Sequence, residues 1–464
     1  MSTMDDEKTL VSSKPHVMFI SFPLQGHISP MVQFSKRLVS KGIKVTVVTT
    51  TSLDITNSNS INIEHILVDT TSQGKSSAEA IDEYLAVLET GITESLPEVI
   101  EKQTTEGWPV KFLIYDALMP YALEASQKVG VQGVAFCTHS SAVLAIYYHV
   151  YQRTLDFKSL EESSSVTLPS LPLLGVEDLP SYLNEMNPYT GLFTLCMKQF
   201  RGLEKAYGVM FNTFEELEGE VVNWLSSKWK IMTIGPSVPS MFLDKRLADD
   251  RDYGLSLFKP EGEACIKWLD EKDTDSVVYV SFGSLANLVQ DQMDEIAWGL
   301  LNSECNFLWV VRDTEKSKLS EKFIEESADR GLIVNWCPQL EVLAHDAVGS
   351  FMTHCGWNST LEALSLGVPM MVLPQWTDQT TNAKYIVDVW KTGVRVKAHD
   401  KESITREDIT KSVKDVMEGT KREELKTNAL KLKEMAIEAM SEGGSSDKNI
   451  DDFISEIVNP TTST

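Results

Sequence analysis

The sequence predicts an α/β fold: two Rossmann-like parallel-sheet domains facing each other across a cleft. Three observations carry that expectation. Short β-rich apolar runs alternate with helix-length segments along the whole chain, which is the pattern of parallel sheets. At 464 residues the chain is too long for one ordinary domain and comfortable for two of roughly 200 residues each. A Pro- and charge-rich stretch with no clean period, placed at 240–262, separates two halves built in the same style.

The expected strands run in order through both halves. Residues 1–239 offer HVMFISF, IKVTVVTT, INIEHILV, VKFLIYD, GVAFCT, VMFNTF and IMTIGP. Residues 263–440 repeat the style with SVVYVSFGS, NFLWVVR, GLIVNW, VGSFMTH, PMMVLP and GVRVK. One segment needs weighing against a membrane span, because Val129 to Gln152 carries no Asp, Glu, Lys or Arg. Its centre reads CTHSS and its start is broken by Gly130, Gln132 and Gly133, so a buried strand followed by an apolar helix is expected instead.

Bulk properties exclude several classes. A formal charge of −25 with scattered Lys and Arg argues against nucleic acid and anionic membrane as partners. Six cysteines form no CxxC pair and no Cys/His metal spacing, and read as reduced thiols of a cytoplasmic protein. The acidic start MSTMDDEKTL and a short first apolar run ending at Pro23 fit neither a secretory nor a transit peptide. No G-x-G-x-x-G follows a strand, and there is no Walker A sequence and no G-x-S-x-G elbow. A dehydrogenase, a phosphoryl-transferring ATPase and an α/β-hydrolase are each disfavoured by one of these absences.

The segment from Trp336 to Gln379 is the most informative. A strand-like run ends in Trp336, and VGSFMTH leads into the cluster His354, Cys355, Gly356, Trp357, Asn358 and Ser359. A helix with Leu361, Leu364 and Leu366 stops at Gly367, and PMMVLP then delivers Asp378 and Gln379 to another turn. Strand–turn–helix repeats with polar groups at the turns place a ligand site at the carboxyl ends of parallel strands. Gly356 lets a ligand approach the backbone, and the helix opening at Asn358 and Ser359 presents unpaired N–H groups to an anion. Trp336 offers a flat face for a base, and Glu362 a carboxylate for ribose hydroxyls. Plainer readings stand beside these: Ser359-x-x-Glu362 is also a capping box, His354 alone a satisfied half-buried histidine and Trp336 alone a core residue.

A base is expected across the cleft. His27 follows the first strand, where Pro23 and Gly26 make a turn ahead of the helix MVQFSKRLVSKG, and histidine titrates near neutrality. Asp116 ends VKFLIYD in the same sheet, where its carboxylate can fix one imidazole tautomer and stabilise the imidazolium. Taken singly, His27 also reads as a solvated loop histidine and Asp116 as a helix N-cap.

The 44 residues from Trp336 to Gln379 resemble the signature box of the plant family-1 UDP-sugar-dependent glycosyltransferases, and the likeness runs from HVMFISFPLQGHISP to EGGSSDKNI, nearly the whole chain. The resemblance implies the GT-B architecture, with residues 441–464 forming a helix and tail that pack back on the first domain. It implies that Trp336 stacks on uracil, Gln339 lies beside uracil and ribose, and Glu362 holds the ribose. His354, Asn358 and Ser359, with Gly356 and Trp357 in the same turn, would bind the diphosphate together with Ser284. Thr138, Trp376, Asp378 and Gln379 would contact the sugar, and His27 and Asp116 match the family's base and its partner.

The expected reaction is inverting transfer of glucose from UDP-glucose to a hydroxyl or carboxyl of a lipophilic small molecule, giving a β-glucoside. No cofactor and no metal is expected, since no carboxylate pair for a divalent cation stands at the donor turns, and the protein is expected to act as a monomer without membrane insertion. The acceptor pocket is placed near Leu24, Ser141 to Tyr148 and Tyr182 to Phe200. SVPSMFLDKR and LSLFKP resemble a subgroup acting on terpenoids, steroids and small carboxylic acids, so a terpenoid or steroid alcohol is favoured, with flavonoid phenols next. His139 follows Thr138 where that subgroup often has Gln or Ser, which suggests a wider acceptor range or a second proton relay. A non-catalytic carrier of hydrophobic metabolites and a different nucleotide-acting hydrolase or transferase are the alternatives.

Overall fold

A computed structural model describes residues 14–50, 60–68, 78–155, 165–183, 189–254, 262–284, 286–396 and 403–459. Residues 184–188 of the expected acceptor segment, 255–261 of the linker, Lys397 and the tail from 460 lie outside the described residues.

The first sheet holds β1 (His16–Ile20), β2 (Lys44–Thr49), β3 (Ile61–His65), β4 (Val110–Asp116), β5 (Gln132–Cys137), β6 (Gly208–Phe211) and β7 (Ile231–Thr233). Their order is β3-β2-β1-β4-β5-β6-β7, and all pairs are parallel. The second sheet holds β8 (Val277–Ser281), β9 (Asn306–Val310), β10 (Gly331–Val334), β11 (Val348–Thr353), β12 (Met370–Val372) and β13 (Gly393–Arg395), in the order β10-β9-β8-β11-β12-β13. It too is parallel throughout. Both are doubly wound sheets, which bind ligands where the strand order reverses, at the carboxyl ends of the strands. Those reversals lie between β1 and β4, where Ile20 pairs with Tyr115, and between β8 and β11, where Ser281 pairs with Thr353. Asp116 closes β4, and His27, Ser284 and His354 follow the ends of β1, β8 and β11.

Continuous apolar runs become strands because helices cover both faces. Every residue of β1 and β8 is buried. The uncharged segment after Val129 folds as β5 and helix α4 (Ser141–Tyr151), and no helix among the described residues is long and apolar enough to cross a membrane. The start of α4 is capped twice. Val143 N–H donates to Ser140 Oγ at 3.3 Å, and Ser141 and Ala142 N–H donate to the Glu218 carboxylate at 3.2 and 3.1 Å. Glu218 reaches them because its helix (Glu215–Ser226) breaks there, at φ −128° and ψ 25°.

The helix after β1 differs from expectation. Helix α1 spans Gln25–Ser40, so it begins six residues before MVQFSKRLVSKG and carries Pro30 inside it. His27 therefore stands in the helix's first turn rather than in a preceding loop. Proline has no N–H to give the carbonyl four residues back, here Gly26. Asn358 of the other domain supplies the missing donor, with its Nδ2 2.7 Å from Gly26 O.

The described part of the linker is not a loose tether. Arg37 on α1 makes a bidentate pair with Asp244 at 2.7 and 3.0 Å, and Gln33 and Lys36 hold Asp250 at 2.5 and 3.0 Å. The final helix, Ser445–Val458, returns to the first sheet. Ser446 Oγ donates to Gly235 O at 2.6 Å, Asn449 Nδ2 to Thr233 O at 2.9 Å, and Phe453 packs on Phe112 with ring centroids 5.5 Å apart. One apolar cluster runs from Val17 and Phe19 through Trp357 to Tyr279 and Phe351, joining the domains behind the cleft.

The Arg37–Asp244 pair is nearly inaccessible, with side chains 5% and 0% exposed. Breaking it leaves a buried guanidinium without its partner. Asp244→Ala is expected to lower stability by about 3–5 kcal/mol in chemical denaturation. The double variant Arg37→Met/Asp244→Leu should regain most of that loss, because two apolar side chains need no pairing.

Candidate active site

The ends of both sheets and the linker enclose a cavity of about 570 Å³. On the first-domain side, His27 Nδ1 lies 2.6 Å from Asp116 Oδ2 and 3.0 Å from Thr138 Oγ1. Asp116 is fixed in turn by Leu118 N–H on Oδ1 at 3.0 Å and by Phe22 N–H on Oδ2 at 3.4 Å. An ionised carboxylate only accepts, so Nδ1 carries the proton and Nε2 is left as the basic nitrogen. Asp116 is thus neither the cap of the next helix, whose N-cap is Met119, nor exposed: it is 1% accessible, against 20% for His27. Burial pushes the His27 pKa down, but the charge and hydrogen bond of Asp116, with Asp378 beyond, more than offset it, and the net direction is up from 6.5.

On the opposite side, helix α7 spans Trp357–Leu366 with Gly356 as N-cap. The helix starts one residue earlier than expected, and Ser359 is its third residue rather than its cap, so the Ser359–Glu362 capping box does not form. Both side chains instead face Gln339, whose Nε2 donates to Ser359 Oγ at 2.9 Å and to Glu362 Oε2 at 2.6 Å. Tyr279 hydroxyl donates to Gln339 Oε1 at 3.0 Å, and Tyr253 hydroxyl to Glu362 Oε1 at 2.7 Å. Burial raises the Glu362 pKa, while these donors pull it back. Trp336 is half-buried and lines the cavity, which removes its reading as core.

His354 sits where two glycines leave room. A Cβ on Gly283, whose φ is +73°, would stand 2.7 Å from the imidazole, and one on Gly356 2.6 Å from it. Burial drives the His354 pKa down to about 4, so it is a neutral donor rather than a cation. Ser284 lines the same wall, and its carbonyl is held by Arg312 Nη1 at 2.5 Å, with Nη2 on Ala286 O. Two side chains of this turn have partners in the first domain. The Trp357 indole is committed to Asn212 O of the first domain at 2.8 Å, and the Asn358 amide nitrogen to Gly26 O. For an anion Trp357 offers only its backbone.

At the third turn, Asp378 accepts from Thr377 Oγ1 at 2.7 Å and Asn382 Nδ2 at 2.8 Å. Gln379 Oε1 accepts Gln375 and Trp376 N–H at 2.9 and 3.1 Å, which leaves its amide nitrogen to donate. Trp376 stands against Tyr182 and Tyr189, with centroids 6.3 and 6.0 Å away. The remaining wall is largely apolar, with Leu24, Leu118, Val143, Tyr147, Leu192, Leu195 and Cys196. His139 is on this wall; burial holds it down to about 4, and its Nε2 is buried without a partner.

The structure brings the sequence-predicted residues to one cavity, with Asp116 behind its wall on His27, yet sequence reasoning missed Tyr253, Tyr279, Arg312 and Asn382. Each acts by holding another residue, and only Tyr253, in a linker otherwise rich in charge, carried any signal. Among the described residues no group of three or more His, Cys, Asp or Glu is placed to hold a metal ion.

Comparison with known proteins agrees with this geometry. Residues 245–438 match a family model described as UDP-glucoronosyl and UDP-glucosyl transferase. The chain is 51% identical over 451 residues to UDP-glucosyltransferase 74AE2 of Panax ginseng, covering 96% of this chain and 99% of that one. It is 46% identical over 455 residues to a mogroside I-E synthase of Siraitia grosvenorii, covering 95% and 97%. Its fold superposes on the crystal structure of Os79 from O. sativa in complex with UDP with a TM-score of 0.87 at 36% identity, covering 95% of this chain and 100% of that chain.

The three cavity histidines are expected to titrate in a set order. As pH falls from about 8, His27 should take up its proton first, above 6.5, while His354 and His139 stay neutral until about 4. Asp116→Asn removes the offsetting charge and leaves the burial, so it should move the His27 midpoint to lower pH. NMR titration of labelled histidine checks both the order and the shift.

Proposed function

The chain belongs to the plant family-1 UDP-glycosyltransferases, enzymes of GT-B fold that transfer sugar, and on that premise we propose that it moves glucose from UDP-glucose to a lipophilic small-molecule hydroxyl with inversion. The observation that carries this reading is His27, bonded to Asp116 at 2.6 Å, facing across one cavity the turns that carry His354, Glu362 and Asp378. A non-catalytic carrier would need no such pair.

In this mechanism His27 Nε2 removes the acceptor's hydroxyl proton as that oxygen attacks the anomeric carbon from the face opposite UDP. The C1–O bond to UDP breaks, and UDP leaves with the bonding pair. Asp116 stabilises the imidazolium without taking the proton. Charge develops on the diphosphate, and the N-terminus of α7, with neutral His354, meets it with donors already in place. Trp336 would stack on uracil and Glu362 would hold the ribose. Thr138, bonded to His27, would lie between base and sugar. Trp376, Asp378 and Gln379 would read the glucose hydroxyls. The apolar wall around Leu192 and Leu195 supports a terpenoid or steroid alcohol ahead of flavonoid phenols. Six free thiols support a cytoplasmic setting.

UDP release from UDP-glucose with a panel of hydrophobic alcohols tests the reading, and no acceptor-dependent release would overturn it. His27→Ala should cut turnover by roughly 10²–10⁴-fold while the dissociation constant for UDP stays nearly unchanged. Turnover should survive excess EDTA, because fixed dipoles rather than a cation meet the diphosphate.

Donor choice gives a separate check. UDP-glucose should be preferred over UDP-galactose and UDP-glucuronic acid, since a misplaced hydroxyl leaves buried partners unpaired and a C6 carboxylate would meet Asp378. Gln379→Ala should weaken glucose transfer by about 1–3 kcal/mol in kcat/KM.

A further inference from the structure

We infer that Ser181, which belongs to the acceptor side of the cleft, is a positioning residue for the donor sugar. It holds Thr377 in the conformation that aims Asp378. The inference rests on the proposed reading of Asp378 as a ligand of the sugar hydroxyls.

Thr377 sits at φ 60°, in the left-handed region that β-branched residues rarely occupy. Such a conformation persists only where the surroundings impose it. Two hydrogen bonds do so here. Thr377 N–H donates to Ser181 Oγ at 2.6 Å, and Ser181 N–H donates to Thr377 O at 2.9 Å. Together they close a ring across the domain boundary around the residue next to Asp378. Thr377 Oγ1 then donates to Asp378 Oδ1 at 2.7 Å, so the left-handed turn and the carboxylate's orientation are linked.

Ser181 can bear on that turn because the residues before it are pinned to the helix that follows the turn, Gln379–Lys384. Leu179 O accepts Thr380 Oγ1 and Asp178 O accepts Thr381 Oγ1, each at 2.7 Å. The Asp178 carboxylate meets Arg395 at 3.0 Å and Lys384 at 3.4 Å. Residues 178–181 thus form a strap from the first domain laid over the sugar turn of the second. Gln339 and Glu362, by contrast, are held by Ser359, Tyr279 and Tyr253, none of them in the strap. Removing the strap's grip should therefore separate sugar recognition from UDP recognition.

The test compares Ser181→Ala and Ser181→Thr with the parent, with UDP and UDP-glucose as calorimetric ligands. In Ser181→Ala the UDP dissociation constant should stay within about twofold. The ratio of the UDP-glucose to the UDP constant should rise about fivefold or more, and kcat/KM for UDP-glucose should fall about tenfold. Ser181→Thr keeps the accepting hydroxyl and should restore both to within about threefold. Thr380→Val loosens the strap at its other end and should move the same ratio by a smaller factor, which keeps the inference testable if Ser181→Ala folds poorly. An unchanged ratio in both Ser181→Ala and Thr380→Val, or an equal loss of UDP affinity, would overturn the assignment. A parent that transfers glucose to no acceptor would sink the proposed reaction instead, and the binding ratio would still decide on Ser181.

Discussion

The distance between the tip of α1 and the tip of α7 is the constraint on which the rest of this molecule depends. His27 stands on one tip and the Gly356 turn on the other, and no shared sheet holds them in register. A missing hydrogen bond helps to set that distance. Pro30 cannot serve the Gly26 carbonyl, and the Asn358 amide reaches across at 2.7 Å to do so. Behind the cleft, Trp357 and Trp390 donate to Asn212 O at 2.8 Å and Leu217 O at 3.2 Å. All three bonds end on main-chain carbonyls, so the register is tied to backbone rather than to mobile side chains. A small error there matters, because reacting atoms must be brought to within about 3–3.5 Å.

The charge inside the cleft is arranged by the same economy. At the turn after β11 the cavity is met by a helix N-terminus and by an imidazole that burial keeps neutral. At His27, Asp116 and Asp378 raise the affinity for a proton. His139 and His354, on the same cavity, stay uncharged down to about pH 4, so a proton arriving at the cleft goes first to His27.

Much of this was legible in the sequence, for reasons that can be named. Apolar runs announce strands whose faces are both covered, and turns after them announce ligands, so His27, Asp116, His354 and Asp378 could be placed at strand ends without coordinates. What stayed hidden depended on partners distant along the chain. The Ser359–Glu362 spacing suggests a capping box, but a glutamine 20 residues earlier claims both side chains. Pro30 argues for a helix start beyond it, yet α1 tolerates proline because a foreign amide answers the freed carbonyl. Trp357 looks like a ligand group until Asn212, 145 residues away, is seen to take its N–H.

The last helix has a consequence for how such chains recombine. Ser445–Val458 follows the second sheet in sequence but reaches from the helix Arg422–Met440 onto the first, through Gly235, Thr233 and Phe112. The first domain is therefore written at both ends of the chain, with the second inserted between. A single crossover between two relatives, anywhere near the linker, would seat one parent's closing helix on the other parent's sheet. Inheritance of the second domain as an intact cassette requires two junctions, one on each side of it, and the second belongs just ahead of Gly444.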